Sequence, residues 1–260
     1  MAKIALCIPH NYPVFDKAFT LSLLSVIASF YEWNQTLKEK HEFVILHNKD
    51  GWIDRMRELL AQEAVEVRKV DFLLWLDTDM QFPPSIVQQM MAWMEKFPEL
   101  DGVTGLYTWK VPPFMPHVYS RYDEKDDKFT VAGGFPLNAG FSVEGAGFGC
   151  VMLRSSLFER TPRPWFKFEY GVYGEDLYFF RKARPVNMIC DPRISCTHLL
   201  TGQGVDIKSY LKYNKLQVVD EIDENKQPYK NIKIDQATLN RISDLQIKLT
   251  QNFEKSKLPS

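Results

Sequence analysis

The feature that most constrains the fold is a short apolar run, residues 72–76, that ends in Asp77-Thr-Asp79. A run this short, bounded by polar residues and followed by two prolines, is typical of a buried central strand. Residues two apart in a strand point to the same side, so we expect Asp77 and Asp79 to face one point at the strand's carboxyl end. Open α/β sheets bind ligands at that edge, and two carboxylates there repel each other unless a cation lies between them. The stretch therefore predicts a divalent metal that holds the phosphates of a nucleotide. The alternative is that one aspartate caps the next helix.

The rest of the chain alternates between strand and helix patterns. This alternation predicts an α/β fold with a single Rossmann-like, mostly parallel central sheet flanked by helices. Residues 108–140 are rich in proline, glycine and aromatics, and predict loops and short strands over the site. Strands are expected at 3–8, 43–46, 72–76, 101–107, 150–153, 186–190 and 194–197, and helices at 17–31, 53–67, 85–97, 155–159 and 174–184.

A change of composition near residue 205 predicts two parts. Residues 1–205 are expected to form the α/β domain, with a nucleotide-binding half at 1–107 and an acceptor half at 108–205. Residues 206–260 are lysine-rich and contain no tryptophan or cysteine, which predicts a polar, helical C-terminal extension. We expect its helix to lie on the α/β domain, and the alternative is a contact in a homo-oligomer. The helix is indicated by apolar residues at helical spacing, namely Leu239, Ile242, Leu245, Leu249 and Phe253.

The overall composition gives no clear indication of a nucleic-acid or membrane partner. The 260 residues carry a net charge of −1, so the charge balance gives no indication of nucleic-acid or anionic-membrane binding. The apolar run at residues 21–30 is too short to span a bilayer, and a strand beginning by Lys3 leaves no room for a signal peptide. The four cysteines have no CxxC spacing and are expected to be small buried hydrophobes. Together these features predict a cytoplasmic protein without a transmembrane segment.

Two more acidic residues, Glu175 and Asp176, begin a predicted helix beside a loop rich in glycine and tyrosine. One explanation is structural, because the helix macrodipole favours acids in the first turn by about 0.3–1 kcal/mol. The other is chemical, because a carboxylate at the entrance of an open site can act as a general base on an acceptor hydroxyl.

Three other signals come from a histidine, an arginine and a glycine run. His198 follows a short strand and, together with an aspartate, suits Mn²⁺, although a lone histidine is more often structural. Arg57 lies early in a helix and offers a bidentate guanidinium to phosphate, although arginine more commonly lies on a solvated helix face. The glycines do not open a helix as a dinucleotide fingerprint requires, and instead predict close approach of backbone to a ligand; they are Gly145, Gly147 and Gly149.

The order of the motifs adds to what each indicates alone. Asp77-Thr-Asp-Met is followed by Gly145-Ala-Gly-Phe-Gly-Cys-Val-Met-Leu-Arg, then Pro164-Trp-Phe, then Gly174-Glu-Asp-Leu-Tyr-Phe-Phe-Arg-Lys-Ala-Arg, and finally Cys190-Asp-Pro-Arg-Ile-Ser-Cys-Thr-His. Over about residues 3–205 this series resembles a nucleotide-sugar glycosyltransferase of the GT-A fold, and within that fold glycosyltransferase family 2.

The resemblance implies a role for each matching residue. Asp77 and Asp79 match the Asp-x-Asp (DXD) motif that binds Mn²⁺ or Mg²⁺ against the diphosphate of a UDP- or GDP-sugar, and His198 matches the late histidine that completes the metal site. Asp176, beside Glu175, matches the base of inverting members, which transfer the sugar to a glycan or other hydroxyl acceptor. The remaining positions expected to contact the nucleotide-sugar are Pro9, His10, Asn48, Arg57 and Thr78, together with Asp77.

Two rival classes stay open from the sequence. A nucleotidyltransferase that makes a sugar nucleotide would share the fold type and the acidic metal ligands. It would be expected to carry a glycine-rich basic loop after the first strand, where Pro9-His-Asn-Tyr-Pro13 stands. A non-catalytic, sugar-binding structural module could keep the fold, but it would have little reason to keep the acidic residues and His198 together.

Overall fold

The computed structural model describes residues 1–11, 15–49, 51–169, 173–200, 203–222 and 228–233. The first half of the chain alternates between strands and helices, as the periodicity predicts. The π-helical turn Glu63–Val67 continues the second helix, where one helix was expected over residues 53–67. In order, the elements are β1 (Lys3–Pro9), α1 (Lys17–Thr36), β2 (Glu42–Asn48), α2 (Ile53–Gln62), β3 (Phe72–Leu76), β4 (Met80–Gln81), α3 (Ile86–Lys96) and β5 (Gly102–Leu106).

The second half of the chain is built mainly from short strands. The strand expected at 186–190 and the one expected at 194–197 are a single strand that reaches Ser195, followed by a separate short strand. The elements are β6 (Val118–Asp123), β7 (Lys128–Val131), β8 (Phe141–Val143), β9 (Gly145–Ala146), β10 (Cys150–Arg154), α4 (Ser155–Arg160), α5 (Glu175–Ala183), β11 (Met188–Ser195), β12 (Thr197–Leu200), β13 (Gln203–Val205), α6 (Ile207–Asn214), β14 (Gln217–Ile222) and β15 (Pro228–Lys233).

The central sheet has seven strands in the order β2-β1-β3-β10-β5-β11-β8. Strands β2, β1, β3, β5 and β11 run in one direction, while β10 and β8 are antiparallel to their neighbours. The predicted α/β fold with a mostly parallel sheet is therefore confirmed. The sequence did not indicate that β10 lies between β3 and β5.

Strand β3 lies in the interior of this sheet, between β1 and β10, and is apolar on both faces. All its residues are buried, and alternate side chains enter two separate cores. Leu73 and Trp75 join the core that includes α5, while Leu74 and Leu76 join the core beneath α1 and α3. Burial of each large apolar side chain contributes about 1.5–3 kcal/mol, so β3 fixes the position of whatever follows it.

The chain beyond residue 205 begins with a helix that packs on the main core. Asp206 caps α6 by accepting hydrogen bonds from the backbone N–H groups of Lys208 and Ser209. Tyr210 is fully buried in the core, and its hydroxyl donates to the carbonyl of Gly133 at 2.8 Å. The predicted helix with apolar residues at 239–253 lies outside the described residues.

Two expectations about the whole chain can be compared with the structure. All four cysteines are buried free thiols, as expected for small hydrophobes. Among the described residues, no helix has the length and apolar character needed to cross a membrane.

Candidate active site

A cavity of about 370 Å³ opens at the carboxyl end of β3 and β5. The position follows from the fold, because parallel strands present their carboxyl ends at one edge. Asp77 comes directly after β3, Tyr107 directly after β5, and the first turn of α5 supplies two acidic side chains. The residues that line the cavity are Arg57, Asp77, Tyr107, His117, Tyr119, Phe148, Gly174, Glu175, Asp176, Leu177 and His198.

A buried arginine joins two of the predicted acidic residues. Arg57 is 3% exposed; its Nη2 donates to both carboxylate oxygens of Asp77, at 2.9 and 3.1 Å, and its Nε donates to Oε1 of Glu175 at 3.1 Å. The guanidinium also lies over the rings of Trp75 and Phe148, at 5.7 and 5.3 Å. Burial by itself lowers the pKa of Arg57, but the charges of Asp77 and Glu175 outweigh it and raise the pKa. Arg57 is therefore a permanently charged bridge between β3 and α5.

Asp176 lies beside this bridge without taking part in it. Its Oδ1 accepts a hydrogen bond from the backbone N–H of Leu177 at 2.7 Å, while Oδ2 lies 4.0 Å from Nδ1 of His117. Burial raises the pKa of Asp176, and also raises the pKa of Asp77 and of Glu175. Carboxylates this close to each other titrate as a group. A carboxylate with a raised pKa is a stronger base than an ordinary aspartate.

Asp79 has different partners from Asp77. The strand ends at Leu76 and residues 78–79 form a turn, so the two-residue period of the strand does not extend to Asp79. Its Oδ2 forms an ion pair with the ammonium group of Lys110. Its Oδ1 is buried and has no hydrogen-bond partner in the described part of the chain. The expectation that Asp77 and Asp79 face one point gives way to two neighbouring carboxylates with separate cationic partners.

His198 faces the unpaired oxygen of Asp79. Its Nδ1 lies 2.5 Å from the carbonyl oxygen of Thr108, and because a carbonyl can only accept, Nδ1 carries the proton. Burial lowers the pKa of His198, which favours the neutral ring, and in that form Nε2 presents a lone pair. This Nε2 lies 3.9 Å from Oδ1 of Asp79.

This pair of atoms fits one divalent cation. Metal–oxygen and metal–nitrogen bonds of about 2.0–2.2 Å allow an ion to touch both Oδ1 of Asp79 and Nε2 of His198. The backbone partner of Nδ1 orients the imidazole, as is common for histidine ligands. Asp77 is turned toward Arg57, and within the described ranges no group of three His, Cys, Asp or Glu side chains suited to a metal assembles.

The other predicted nucleotide contacts lie further along the same sheet edge. Pro9, the last residue of β1, is paired with Asn48, the last residue of β2, and the N–H of His10 donates to the carbonyl of Asn48 at 3.0 Å. Thr78 lies half-buried between the two aspartates. These four residues are not among those that line the cavity. The structure thus brings Arg57, Asp77, Glu175, Asp176 and His198 to one cavity. Asp79 adjoins that cavity through His198, and the other predicted contacts lie outside its lining.

Several side chains of the site lie outside the motifs seen in the sequence. Tyr107 follows β5, so its position at the carboxyl end of a central strand was a usable signal. His117 had no such signal, because it reaches the cavity through a loop that folds back on itself at the Thr108–Pro116 bridge. Its Nδ1 lies 3.1 Å from the hydroxyl of Tyr107, and burial lowers the pKa of His117 to about 4. Lys110 lies on the same loop.

Two glycines of the predicted run, Gly147 and Gly149, leave space for these side chains. A Cβ on Gly147 would lie 1.9 Å from Nδ1 of His117 and 2.0 Å from the hydroxyl of Tyr107, and a Cβ on Gly149 would lie 3.0 Å from Tyr107. The N–H of Gly149 also donates to the Tyr107 hydroxyl at 3.0 Å. The group that the backbone approaches closely here is a pair of cavity side chains, and the expected close approach to a ligand stays a prediction.

Comparisons with known proteins show the fold. No family model matches the sequence, and no curated protein matches it. Among solved structures, A197 from STIV matches with a TM-score of 0.52 and 20% identity over 90% of this chain and 95% of that chain. GalNAc-T7, solved with UDP, GalNAc and Mn²⁺, matches with a TM-score of 0.50 and 11% identity over 82% of this chain and 48% of that chain, so this chain spans about half of GalNAc-T7. The protein therefore has an α/β fold of the GT-A type seen in glycosyltransferases.

Proposed function

We propose that this protein is a metal-dependent glycosyltransferase, of the family 2 type within the GT-A fold. It would move a sugar from a UDP- or GDP-sugar to the hydroxyl of a glycan or other acceptor. One observation supports this most: a pair of atoms suited to a cation, on Asp79 and His198, lies beside a separate carboxylate with a raised pKa, Asp176. His198 and Asp176 line the same cavity. Donor activation and proton removal are the two tasks that glycosyl transfer requires.

The charges of the site favour a divalent cation as part of the donor complex. Four carboxylates, on Asp77, Asp79, Glu175 and Asp176, face two cations, Arg57 and Lys110. With all of them ionised the net charge is −2, which repels a diphosphate. Mn²⁺ or Mg²⁺, when bound, supplies a Lewis acid that offsets the charge on the leaving diphosphate. Asp79 and His198 would hold it, and Asp77 adds its negative charge beside them.

In a single-displacement reaction, Asp176 and Arg57 would have different roles. Asp176 accepts the proton of the acceptor hydroxyl as that oxygen attacks the anomeric carbon, and the bond from that carbon to the diphosphate breaks. Attack from the opposite face inverts the anomeric configuration. Arg57 holds Asp77 and Glu175 in place. Its Nη1, buried and without a hydrogen-bond partner in the described part of the chain, is the atom left for a phosphate oxygen.

The residues at the ends of β1 and β2 are suited to the nucleoside. Pro9, His10 and Asn48 lie on the sheet edge next to the cavity, and Thr78 lies between the two aspartates. A nucleotide whose diphosphate is at Asp79 would extend toward them along the carboxyl ends of the strands.

The proposal is tested by turnover of wild-type protein and Asp176→Asn. Release of nucleoside diphosphate is measured from UDP- and GDP-sugars with Mn²⁺, Mg²⁺ or EDTA, in the presence of a glycan panel, and NMR gives the anomeric configuration of the product. We expect an inverted product that requires metal, and a loss of about 10²–10⁴-fold in Asp176→Asn with donor binding kept. Asp126→Asn, on an exposed turn, is the matched control.

Three results would contradict the proposed function, each in a different way. Unchanged turnover in Asp176→Asn would remove Asp176 as the base. Pyrophosphate release from a nucleoside triphosphate and a sugar phosphate would indicate a nucleotidyltransferase, and saccharide binding without any turnover would indicate a structural module.

A further inference from the structure

Lys110 is a basic residue at the candidate metal site that the sequence motifs do not include. Its ammonium group pairs with Oδ2 of Asp79, while Oδ1 of the same carboxylate faces His198 at 3.9 Å. The Asp79 carboxylate therefore faces Lys110 with one oxygen and, with the other, the position between Asp79 and His198 that suits a cation. Lys110 is about one third exposed, so its side chain has room to move.

The backbone on either side of Lys110 is anchored to the site. The carbonyl of Thr108 accepts from Nδ1 of His198, and the N–H of Trp109 donates to the carbonyl of Met115 at 2.8 Å. These contacts fix where the lysine begins, and its four-carbon stem lets the ammonium group turn between neighbouring anions. A long, hydrated point charge of this kind is suited to moving between partners.

We propose that Lys110 pairs with Asp79 in the free protein and turns to the diphosphate of the donor when a cation binds at Asp79 and His198. This rests on the proposed function. A divalent ion at Oδ1 repels an ammonium group on Oδ2 of the same carboxylate, and the diphosphate that binds with the ion offers new anionic oxygens nearby. Lys110 is thus a competitor of the metal before the donor arrives and a diphosphate-binding residue afterwards.

The two roles have opposite consequences when the lysine charge is removed. Without donor, Lys110→Met leaves Asp79 with no competing cation, so Mn²⁺ binds more tightly. With donor, the same variant removes one positive charge from a site whose carboxylates already outnumber its cations, so a nucleoside diphosphate binds more weakly. A lysine that only supported the local structure would weaken both.

The experiment measures both affinities in the full-length chain. Mn²⁺ binding is followed by the paramagnetic resonance signal of free Mn²⁺, without nucleotide, and UDP and GDP binding is followed by calorimetry at saturating Mn²⁺. For Lys110→Met we expect Mn²⁺ affinity to rise about fivefold and UDP or GDP affinity to fall by a similar factor, the effect of one charge near 4 Å in a water-like dielectric. Lys110→Arg keeps the charge and is expected to keep both affinities near wild type.

Lys125→Met is the matched control, because Lys125 is exposed on the turn between β6 and β7 and its loss changes the net charge equally. Thermal unfolding of each variant checks that the fold is kept. If wild type binds UDP or GDP with Mn²⁺ and Lys110→Met shifts neither affinity, or weakens both, the role of Lys110 is overturned and the proposed function stands. If wild type binds neither nucleotide, the proposed function is overturned, and the role of Lys110 with it.

Discussion

Arg57 affects both the stability and the arrangement of the site. It is buried against two aromatic rings, and its partners, Asp77 and Glu175, are themselves only 26% and 10% exposed. Removing one member of a buried ion pair leaves an uncompensated charge, which typically costs about 3–5 kcal/mol. Part of Asp77 is open to solvent, which places the expected effect toward the lower end of that range.

We predict that Arg57→Leu lowers the free energy of unfolding by about 3 kcal/mol near pH 7.5. Without the guanidinium, the pKa values of Asp77 and Glu175 rise further above those of the unfolded chain. A carboxyl group with a raised pKa binds its proton more tightly in the folded state, so the deficit of the variant shrinks as the pH falls. Urea unfolding at pH 5.5 and 7.5 measures both effects.

Arg55→Leu is the control for this prediction, because Arg55 lies on the same helix and is exposed. Two results would contradict the role of Arg57 as a bridge between Asp77 and Glu175. One is an equal loss of unfolding free energy in both variants, and the other is a loss in Arg57→Leu that does not change with pH.

Single site residues could be predicted where they lie at strand or helix ends. The residues Asp77, Glu175, Asp176 and His198 were identified in this way, and they do lie in one cavity. Arg57 was also expected at the site, but its pairing with Asp77 and Glu175 was not predictable. Lys110 and His117 were not predicted, because they reach the site from a loop. Which charges meet there depends on tertiary packing, and sequence spacing does not record it.

At the scale of elements, periodicity predicted most helices and strands but not the neighbours of each strand. Strand β10 is apolar and short like β3, so its pattern does not reveal that it pairs antiparallel between β3 and β5. A strand buried on both faces has the same composition whichever way it runs. The π-helical turn after α2 likewise keeps the helical apolar pattern, so the sequence predicted one continuous helix.

The segment from β9 to β10 offers the clearest test of an element. Gly147 lies where Tyr107 and His117 leave no space for a Cβ, which would fall 1.9 Å from His117. We predict that Gly147→Ala destabilises the protein by about 1–3 kcal/mol, as overpacking of a buried site does, and weakens donor binding because both side chains must shift. Urea unfolding and calorimetry give the two readings.

Gly145→Ala is the graded comparison for this prediction. Its Cβ would lie 3.1 Å from a ring carbon of Phe129, a much milder approach. We expect it to cost less than Gly147→Ala. Equal or larger loss in Gly145→Ala would show that the space around Tyr107 and His117 is not what requires glycine.

At the scale of the whole molecule, the helix α6, which follows residue 205, packs on the α/β body. Tyr210 is fully buried, and the side-chain amide of Asn214 donates to the carbonyl of Pro113 at 2.9 Å. The change of composition near residue 205 therefore lies next to a helix, α6, that contributes to the core. The division at residue 205 remains a prediction, since polar composition alone does not reveal how a helix packs.

Two truncated chains test the contribution of α6, because both lack everything from residue 217 onward. A chain of residues 1–216 keeps α6 and a chain of residues 1–205 does not. We predict that the shorter chain is less stable by about 3–5 kcal/mol, the range for loss of a large buried aromatic, measured by urea unfolding. Equal stability of the two chains would mean that α6 contributes nothing to the core.

Calorimetry with wild type and Asp79→Ala measures most directly whether a cation and a nucleotide-sugar bind at this sheet edge as one unit. UDP- and GDP-sugars are titrated in Mn²⁺ and in EDTA, with circular dichroism to confirm that the variant is folded. We predict that wild type binds a sugar nucleotide in Mn²⁺, that EDTA removes the binding, and that Asp79→Ala lacks it while keeping the fold. Binding of equal strength in EDTA, or in Asp79→Ala, would contradict the assignment of Asp79, and no binding to any donor would contradict the proposed function.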